Sequence, residues 1–274
     1  MSTSGGRAAL LTNPRSERVK GVVSLRRGSV RARRARFLVE GPHAVRELLR
    51  YARSHVVDLY LTEQAWGENP DLPQHAHEEG AGVYECTDHV LTVMADAQHP
   101  QGVLAVASPI DVTPRAALDA VGAGFAVILS NVRDPGNAGT VIRGADAFGA
   151  AAVLVSSDSV DLYNPKLIRS TVGSAFHLPI SAGAPIEQIL ATARRCGIAL
   201  LAADGAGPTR LRDAGLASPH AWVLGNEARG LPEDVVAGCD DRVAVPIVGH
   251  AESLNLAMAA TVCMHASAAA REAV

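Results

Sequence analysis

Short apolar runs alternate with helical spacing through most of this 274-residue chain. In the first part, compact apolar runs predict strands at 37–41, 56–61, 82–86 and 102–107, separated by helices. Such alternation predicts a small α/β unit. A stretch with two prolines at 108–123 then predicts a linker with one short helix.

A second βα series follows the linker. Its uninterrupted apolar runs predict strands at 125–129, 152–155, 178–180, 198–202, 221–224 and 242–245, with an Ala-rich helix from about 254 to 271 at the end. Uninterrupted apolar strands between helices are typical of a parallel sheet covered on both faces. We therefore divide the chain into 1–107, a linker at 108–123, and 124–274.

Composition excludes several classes of protein. The four cysteines are scattered without Cys-x-x-Cys spacing, and no histidines form a ligand pair, so neither a disulfide framework nor a metal site is expected. No apolar run approaches the length of a membrane span, and no cleavage-like signal follows the N-terminus. We expect a soluble, cytoplasmic protein without a metal.

The charge is unevenly distributed. Residues 1–54 contain thirteen Lys and Arg against three acids, although the whole chain has a net charge of −3. Such asymmetry favours a basic, partly flexible arm that binds nucleic acid, with a solvated Arg-rich leader as the alternative. The residues predicted to contact RNA there are Arg26, Arg27, Arg33 and Arg34.

Three segments of the second part are richer in Gly, Asn and charge than a core requires, and each follows an apolar strand. They are 130–140, 224–231 and 245–256. The first leads into a helix that carries Arg143, and an Arg near a helix start opposes the macrodipole, which favours a functional role. In the third, Ser253 is predicted to N-cap the terminal helix, with Asn255 inside its first turn.

These segments resemble the three signature motifs of the SpoU/TrmH-type RNA 2′-O-ribose methyltransferases of the SPOUT superfamily. The residues that carry the resemblance are Asn131, Asp134, Pro135, Gly136, Asn137, Ala138, Gly139, Arg143, Ala147, Phe148 and Gly149 in the first motif, Leu224–Glu227 and Gly230 in the second, and Val245, Pro246 and Glu252–Leu256 in the third. Residues 37–41 and 101–105 more loosely resemble the ribosomal-protein-L30-like substrate-binding domain that often precedes this catalytic domain.

The resemblance implies an α/β fold whose parallel sheet ends in a C-terminal trefoil knot, an obligate homodimer, and S-adenosylmethionine as cofactor. General topology rules make knots rare, so the spacing alone does not predict one. By position, the resemblance implies that the cofactor is bound by Gly225, Val245 and Leu254, with Leu201 and Ala202 nearby.

The resemblance also implies catalytic roles. Arg143 would activate the ribose hydroxyl, electrostatically rather than as a literal base, because an ordinary Arg stays protonated. Asn137 would fix the loop and Arg143, Glu227 would orient Arg143 or the substrate, and Ser253 and Asn255 would position ribose or methionine groups.

Arg169 and His250 are two further candidate site residues. Arg169 is predicted to touch an RNA phosphate near the active site, although a surface Arg is nearly as good an interpretation. His250 lies in the third motif and has the chemistry of a base, but the family does not rely on a His there.

Alternative functions remain. Ribosomal RNA of the large subunit is the favoured substrate, because the added front domain suits folded RNA, and tRNA is the alternative. A catalytically silent RNA-binding module of the same fold is a third hypothesis, against which Arg143, Glu227 and Asn255 all stand. A dinucleotide-dependent Rossmann enzyme is excluded because Gly122-Ala123-Gly124 precedes its strand instead of following it.

Overall fold

The computed structural model describes residues 9–226 and 229–272. The chain divides into two compact units, the first built from the chain up to Ile110 together with Tyr163–Phe176, the second from Asp111–Leu162 and the chain from His177 onward. The apolar pattern did not predict that Tyr163–Phe176 packs within the first unit.

The regular elements are numbered in chain order. The strands are β1 Phe37–Glu40, β2 Val56–Leu61, β3 Gly82–Glu85, β4 Val103–Ala107, β5 Phe125–Leu129, β6 Ala152–Ser156, β7 Ile180–Ala184, β8 Ala199–Ala203, β9 Thr209–Arg210, β10 His220–Leu224 and β11 Asp241–Ala244. The helices are α1 Glu17–Val23, α2 Gly28–Arg34, α3 Pro42–Tyr51, α4 Glu63–Glu68, α5 Asp71–Glu78, α6 Asp88–Met94, α7 Pro114–Asp119, α8 Pro135–Ala147, α9 Pro165–Thr171, α10 Ile186–Arg195, α11 Glu233–Ala237 and α12 Leu256–Glu272.

The first unit is built on a four-stranded mixed sheet in the order β1-β4-β2-β3. β4 runs antiparallel to both β1 and β2, whereas β2 and β3 are parallel. The basic segment is more structured than predicted: α1 and α2 bury Val19, Val22 and Val30 in the same apolar cluster as Leu38 of β1 and Leu91 of α6. Much of the predicted arm therefore belongs to the core of this unit.

The second unit is built on a seven-stranded parallel sheet in the order β7-β6-β5-β10-β8-β11-β9. One face is covered by α7, α10 and α11, whose Leu118, Ile189 and Val235 pack on the strands. α8 and α12 pack against each other, at a point where a Cβ on Gly144 would lie 2.8 Å from the Met264 Cε. The predicted parallel sheet is confirmed.

No helix in the described part of the chain is long and apolar enough to cross a membrane.

Candidate active site

The polar loops of the second unit meet because their strands are neighbours. β5, β10, β8 and β11 are parallel and adjacent in the sheet, so the loops that follow them emerge at the same edge. We call 130–137 after β5, which includes the first residues of α8, the first loop. Residues 225–232 after β10 are the second loop, and 245–255 after β11 are the third loop.

The first loop turns sharply at Asn131, which has a φ of +55°. This left-handed conformation is uncommon for a residue other than Gly, although Asn tolerates it better than most. The Asn131 N–H donates to Ser156 Oγ at 3.2 Å, and the Asp134 carboxylate accepts the Asn137 N–H at 2.7 Å and so N-caps α8. The turn is therefore held at both ends by side chains.

The second loop is joined to the first by a side-chain amide. Asn226 Nδ2 donates to the carbonyl oxygen of Asn131 at 3.0 Å. The loop is closed on itself by paired backbone hydrogen bonds between Asn226 and Gly230, of 3.0 and 2.8 Å. Gly225 has no room for a side chain, because a Cβ there would lie 2.4 Å from the Gly230 carbonyl. Glu227, predicted to orient Arg143, lies outside the described residues.

The third loop is joined to the first through Asn255. Asn255 Oδ1 accepts the Ala257 N–H at 2.9 Å and the Met258 N–H at 3.4 Å, so Asn255 caps α12. Its Nδ2 donates to Asn137 Oδ1 at 3.2 Å. The prediction that Ser253 caps this helix is wrong, because the helix begins two residues later than predicted and Asn255 takes the capping position.

Arg143 lies in the second half of α8 and is exposed. The argument that it opposes the macrodipole is wrong, since α8 begins at Pro135 and the field of a helix terminus acts mainly within its first turn. Among residues 9–226 and 229–272, no side chain or backbone group forms a hydrogen bond or ion pair with the Arg143 guanidinium.

A cavity of about 310 Å³ opens between the second and third loops and the segment after β8. That volume is at the lower end of the range of small-molecule sites. Its lining residues are Ala203, Asp204, Gly205, Leu224, Gly225, Asn226, Gly230, Val243, Val245, Ile247, Glu252, Ser253, Leu254, Leu256 and Ala259. The walls are thus mainly apolar, with a few amide, hydroxyl and carboxylate groups.

Four of the predicted site residues line this cavity: Gly225, Val245, Ser253 and Leu254. Leu201 and Ala202 do not, because β8 continues to Ala203 and both side chains are buried in the sheet. The three residues that follow them, 203–205, form that wall instead.

Asp204 at the wall of the cavity was not predicted, although it follows a buried strand as the other loops do. Its Oδ1 accepts the Ala206 N–H at 2.9 Å, and its Oδ2 accepts both Arg242 Nε at 3.2 Å and Arg242 Nη2 at 2.7 Å. The Ala206 hydrogen bond, followed by the Arg242 contact, holds the pKa of Asp204 below its usual value. The Asp204 carboxylate is therefore ionised and neutralised by Arg242.

The four arginines of the first unit that are predicted to bind RNA differ in their contacts. Arg26 Nη2 donates to the carbonyl oxygens of Val93, at 2.7 Å, and of Ala95, both at the end of α6. Arg34 Nη1 donates to the Gly21 carbonyl at 3.2 Å. Arg27 and Arg33 are exposed, and no hydrogen bond or ion pair engages them within the described ranges.

Arg169 is engaged by carboxylates within the first unit. Its guanidinium lies 3.2 Å from Glu40 Oε1 and 2.9 Å from Asp96 Oδ2. Glu40 also accepts the backbone N–H groups of Asp96 and Ala97, at 3.1 and 2.9 Å. The pairing gives Arg169 a structural role, and its contact with RNA stays a prediction.

His250 is exposed in the third loop. Within the described ranges, no group of His, Cys, Asp and Glu side chains is arranged to hold a metal ion.

Residues 124–265 match the SpoU rRNA Methylase family, and residues 16–105 match the MRM3-like substrate binding domain. The chain is 27% identical over 258 residues to the 23S rRNA (guanosine(2553)-2′-O)-methyltransferase RlmP of Bacillus subtilis, covering 93% of this chain and 97% of that one.

Two solved structures with bound cofactor are similar to it. An rRNA methyltransferase of Sinorhizobium meliloti with bound AdoMet is 26% identical with a TM-score of 0.86, covering 96% of this chain and 98% of the other. The SpoU methyltransferase AviRb of Streptomyces viridochromogenes with AdoMet is 28% identical with a TM-score of 0.78, covering 94% and 99%.

Proposed function

The chain belongs to the SpoU rRNA methylase family, and on that basis we propose that it methylates ribose 2′-hydroxyl groups of ribosomal RNA with S-adenosylmethionine as donor. The observation that carries the proposal is the joining of the three loops by Asn226 and Asn255 beside one cavity, which the second and third loops line. The relatives that contain AdoMet support the choice of cofactor.

The residues of the cavity fit this cofactor. Apolar walls such as Leu224, Val243 and Leu254 suit an adenine ring, and Ser253 and the backbone at Gly225 offer polar groups to the ribose and the methionine part. When bound, S-adenosylmethionine supplies a methyl group on a sulfonium, and its transfer to oxygen leaves S-adenosylhomocysteine. Gly225, Val245 and Leu254 would hold it, with Leu201 and Ala202 supporting the wall from within β8.

Arg143 is the residue that we assign to the acceptor hydroxyl. A guanidinium stays protonated, so Arg143 acts by stabilising the negative charge that develops on the ribose oxygen, and the hydroxyl proton leaves to water. Asn137 precedes Arg143 by six residues on α8 and is itself fixed by Asn255, which sets the orientation of the helix start. Positioning of donor and acceptor provides much of the remaining rate.

The other catalytic assignments follow the family motifs. Glu227 would orient Arg143 or the substrate, Ser253 would contact the ribose or methionine group from the wall of the cavity, and Asn255 would keep the first and third loops together. The presence of Arg143, Glu227 and Asn255 argues against a catalytically silent RNA-binding module.

Large-subunit ribosomal RNA is the substrate that we favour over tRNA. The similar Bacillus subtilis protein is named for 23S rRNA, and the match of residues 16–105 to a substrate binding domain supports a folded RNA. Such a domain would contact RNA through Arg27 and Arg33 first, with Arg26, Arg34 and Arg169 as secondary candidates. For this substrate we place the enzyme in the cytoplasm.

The test is transfer of labelled methyl groups to 23S rRNA purified from cells that lack the gene, followed by mapping of 2′-O-methyl positions. We expect one or a few sites that are absent from the untreated RNA. Incorporation into tRNA alone would replace the ribosomal assignment. Failure to bind S-adenosylhomocysteine in calorimetry would contradict the proposed function as a whole.

A knotted sheet and a homodimer are further parts of the proposal. On α12, Met258 and Val262 are 59% and 40% exposed one turn apart, and such an apolar stripe suits burial against a second copy. Sedimentation of the protein is expected to give a dimer, and Met258→Glu with Val262→Glu a monomer. A wild-type monomer would contradict this part alone.

A further inference from the structure

We propose that Arg133 binds a phosphate of the RNA substrate and that Asn131 holds its guanidinium ready for that contact. The inference rests on the proposed function, since it concerns how the RNA is held beside the three loops. Arg133 lies in the first loop, directly before the cap of α8, and its side chain is exposed.

The contacts that point to Arg133 are the hydrogen bonds of Asn131. Asn131 Oδ1 accepts the Arg133 Nε–H at 2.7 Å. The backbone of Asn131 is fixed on both sides, by its N–H to Ser156 Oγ and by its carbonyl oxygen to Asn226 Nδ2. The arginine is therefore held by a residue that is itself tied to a neighbouring strand and to the second loop.

Asn131 adopts its left-handed backbone, φ +55°, in this position. A non-Gly residue in that region costs free energy, and such residues are concentrated at functional sites where the surroundings maintain them. Glycine would meet the backbone requirement without cost, but it lacks the amide oxygen that receives Arg133 Nε. The Asn side chain thus has a use here beyond forming the turn.

The bond to Asn131 orients the guanidinium without neutralising it, because an amide oxygen carries no net charge. A guanidinium has five N–H donors, and the four on the terminal nitrogens suit the paired oxygens of a phosphate. Arg169 differs in this respect, because two carboxylates already pair with it. No carboxylate of the described residues pairs with Arg133, so of these two arginines it is the one that keeps its charge for RNA.

The experiment compares Arg133→Ala with Arg195→Ala. Arg195 is a matched control: it is exposed on α10, and its Nη2 donates at 3.0 Å to another uncharged oxygen, Thr192 Oγ1. Binding to purified 23S rRNA is measured by filter binding at several salt concentrations. We expect Arg133→Ala to weaken binding about fivefold and to reduce the slope of log K against log salt by about 0.7 to 0.9, the value for one phosphate contact.

The positioning role of Asn131 is tested with Asn131→Gly, which permits the same φ and lacks the amide oxygen. We expect weaker RNA binding than wild type, and we expect Asn131→Gly added to Arg133→Ala to cause no further loss, since both act on one contact. Additive losses would contradict the positioning role. A conservative Arg133→Lys is expected to keep the salt slope but to lose part of the affinity, because a lysine lacks the planar pair of donors.

Calorimetry with S-adenosylhomocysteine separates this inference from the proposed function. Both Arg133→Ala and Asn131→Gly are expected to bind it as wild type does, because neither residue lines the cavity. If these variants bind it normally and Arg133→Ala has the RNA affinity and salt slope of Arg195→Ala, the phosphate contact is wrong. If the wild-type protein itself fails to bind it, the proposed function is wrong instead.

Discussion

The two units use their polar side chains for different purposes. In the second unit, amides join loops that are far apart in the sequence, Asn226 to the carbonyl of Asn131 and Asn255 to the amide oxygen of Asn137. In the first unit, the arginines whose number predicts nucleic acid binding also hold the fold together. Arg26, for example, satisfies carbonyl groups at the end of α6.

This difference limits what a count of charged residues can predict about ligand binding. A basic segment predicts a polyanion partner only after the cations with structural partners are set aside. Buried Arg31 donates to two backbone carbonyls, Arg18 lies over the Tyr84 ring, and Arg46 pairs with Asp71. The motif loops carry fewer charges, but their geometry indicates more directly where a ligand binds.

The largest effect is expected at Arg143. Arg143→Ala should reduce methyl transfer at least about 100-fold, the usual scale for losing a group that stabilises developing charge. Labelled methyl transfer to 23S rRNA measures this, with Arg195→Ala as the matched variant. Binding of S-adenosylhomocysteine and the melting temperature should stay at their wild-type values. Turnover like that of Arg195→Ala would remove Arg143 from the mechanism.

A smaller effect is expected when the donor of the hydrogen bond between the first and third loops is replaced by an acceptor. Asn255→Asp keeps an oxygen that can cap α12. It replaces the Asn255 amide nitrogen, which donates to Asn137 Oδ1 in the wild type, with a second oxygen. Transfer should fall about tenfold, the cost of roughly 1.4 kcal/mol, and the melting temperature should be retained because Asp is a good cap.

Asn255→Ala is the comparison for that variant. It loses both the cap and the link, so it should lose stability by about 1 kcal/mol as well as activity. If Asn255→Asp were as active as the wild type, the amide bond between the loops would have no part in catalysis and the contrast between the units would weaken.

The sheet of the second unit could be predicted from the sequence because its strands are uninterrupted apolar runs, such as 125–129 and 221–224. β9 was missed, since two residues leave no periodic signal. The first residue of α12 was misplaced because Ser253 and Asn255 are both good caps, and only the backbone decides between them.

The remaining misses concern partners that are distant in the sequence. Arg26 meets carbonyls 67 and 69 residues away, and Arg169 meets Glu40 across 129 residues. A local sequence pattern cannot predict contacts between residues so far apart in the chain. The motif loops could be found because each follows a strand, whereas the bonds that join them depend on which strands are neighbours in the sheet.

A still smaller effect is expected at the exposed arginines of the first unit that have no structural partner among the described residues. Arg27→Ala with Arg33→Ala should weaken binding to 23S rRNA several-fold and reduce the salt slope by roughly 1.5, as expected for two phosphate contacts, without lowering the melting temperature. Filter binding at several salt concentrations measures the slope.

The paired variant Arg26→Ala with Arg34→Ala removes the same charge. It should cost about 1 kcal/mol of stability through the lost carbonyl contacts and lower the melting temperature accordingly. Equal stability and equal salt slopes for the two pairs would mean that the structural contacts do not separate these arginines.

The smallest effect concerns pH and a buried link between β10 and α12. His220 is 1% exposed, and its Nδ1 donates to the Ser218 carbonyl oxygen at 2.7 Å. Its Nε2 therefore accepts the hydrogen of Ser267 Oγ at 2.8 Å. Ser267 Oγ in turn accepts the Trp222 Nε1–H at 2.8 Å. Burial, more than the nearby charge of Arg271, lowers the pKa of His220 below its ordinary value.

Because the folded pKa of His220 is lowered, the unfolded chain takes up the proton first as the pH falls. The contribution of this group to stability is therefore complete above the ordinary value of about 6.5 and is lost below it, by up to about 1.4 kcal/mol per pH unit until the folded protein is also protonated. Hydrogen exchange measured at pH 7.5 and 5.5 should show α12 and β10 losing more protection in the wild type than in His220→Gln. The change in protection of α6 in the first unit is the internal control, since α6 has no bond to His220. The ratio of the loss in α12 and β10 to the change in α6 therefore tests the contrast between the units. Equal ratios in wild type and variant would show that His220 does not make the second unit sensitive to pH.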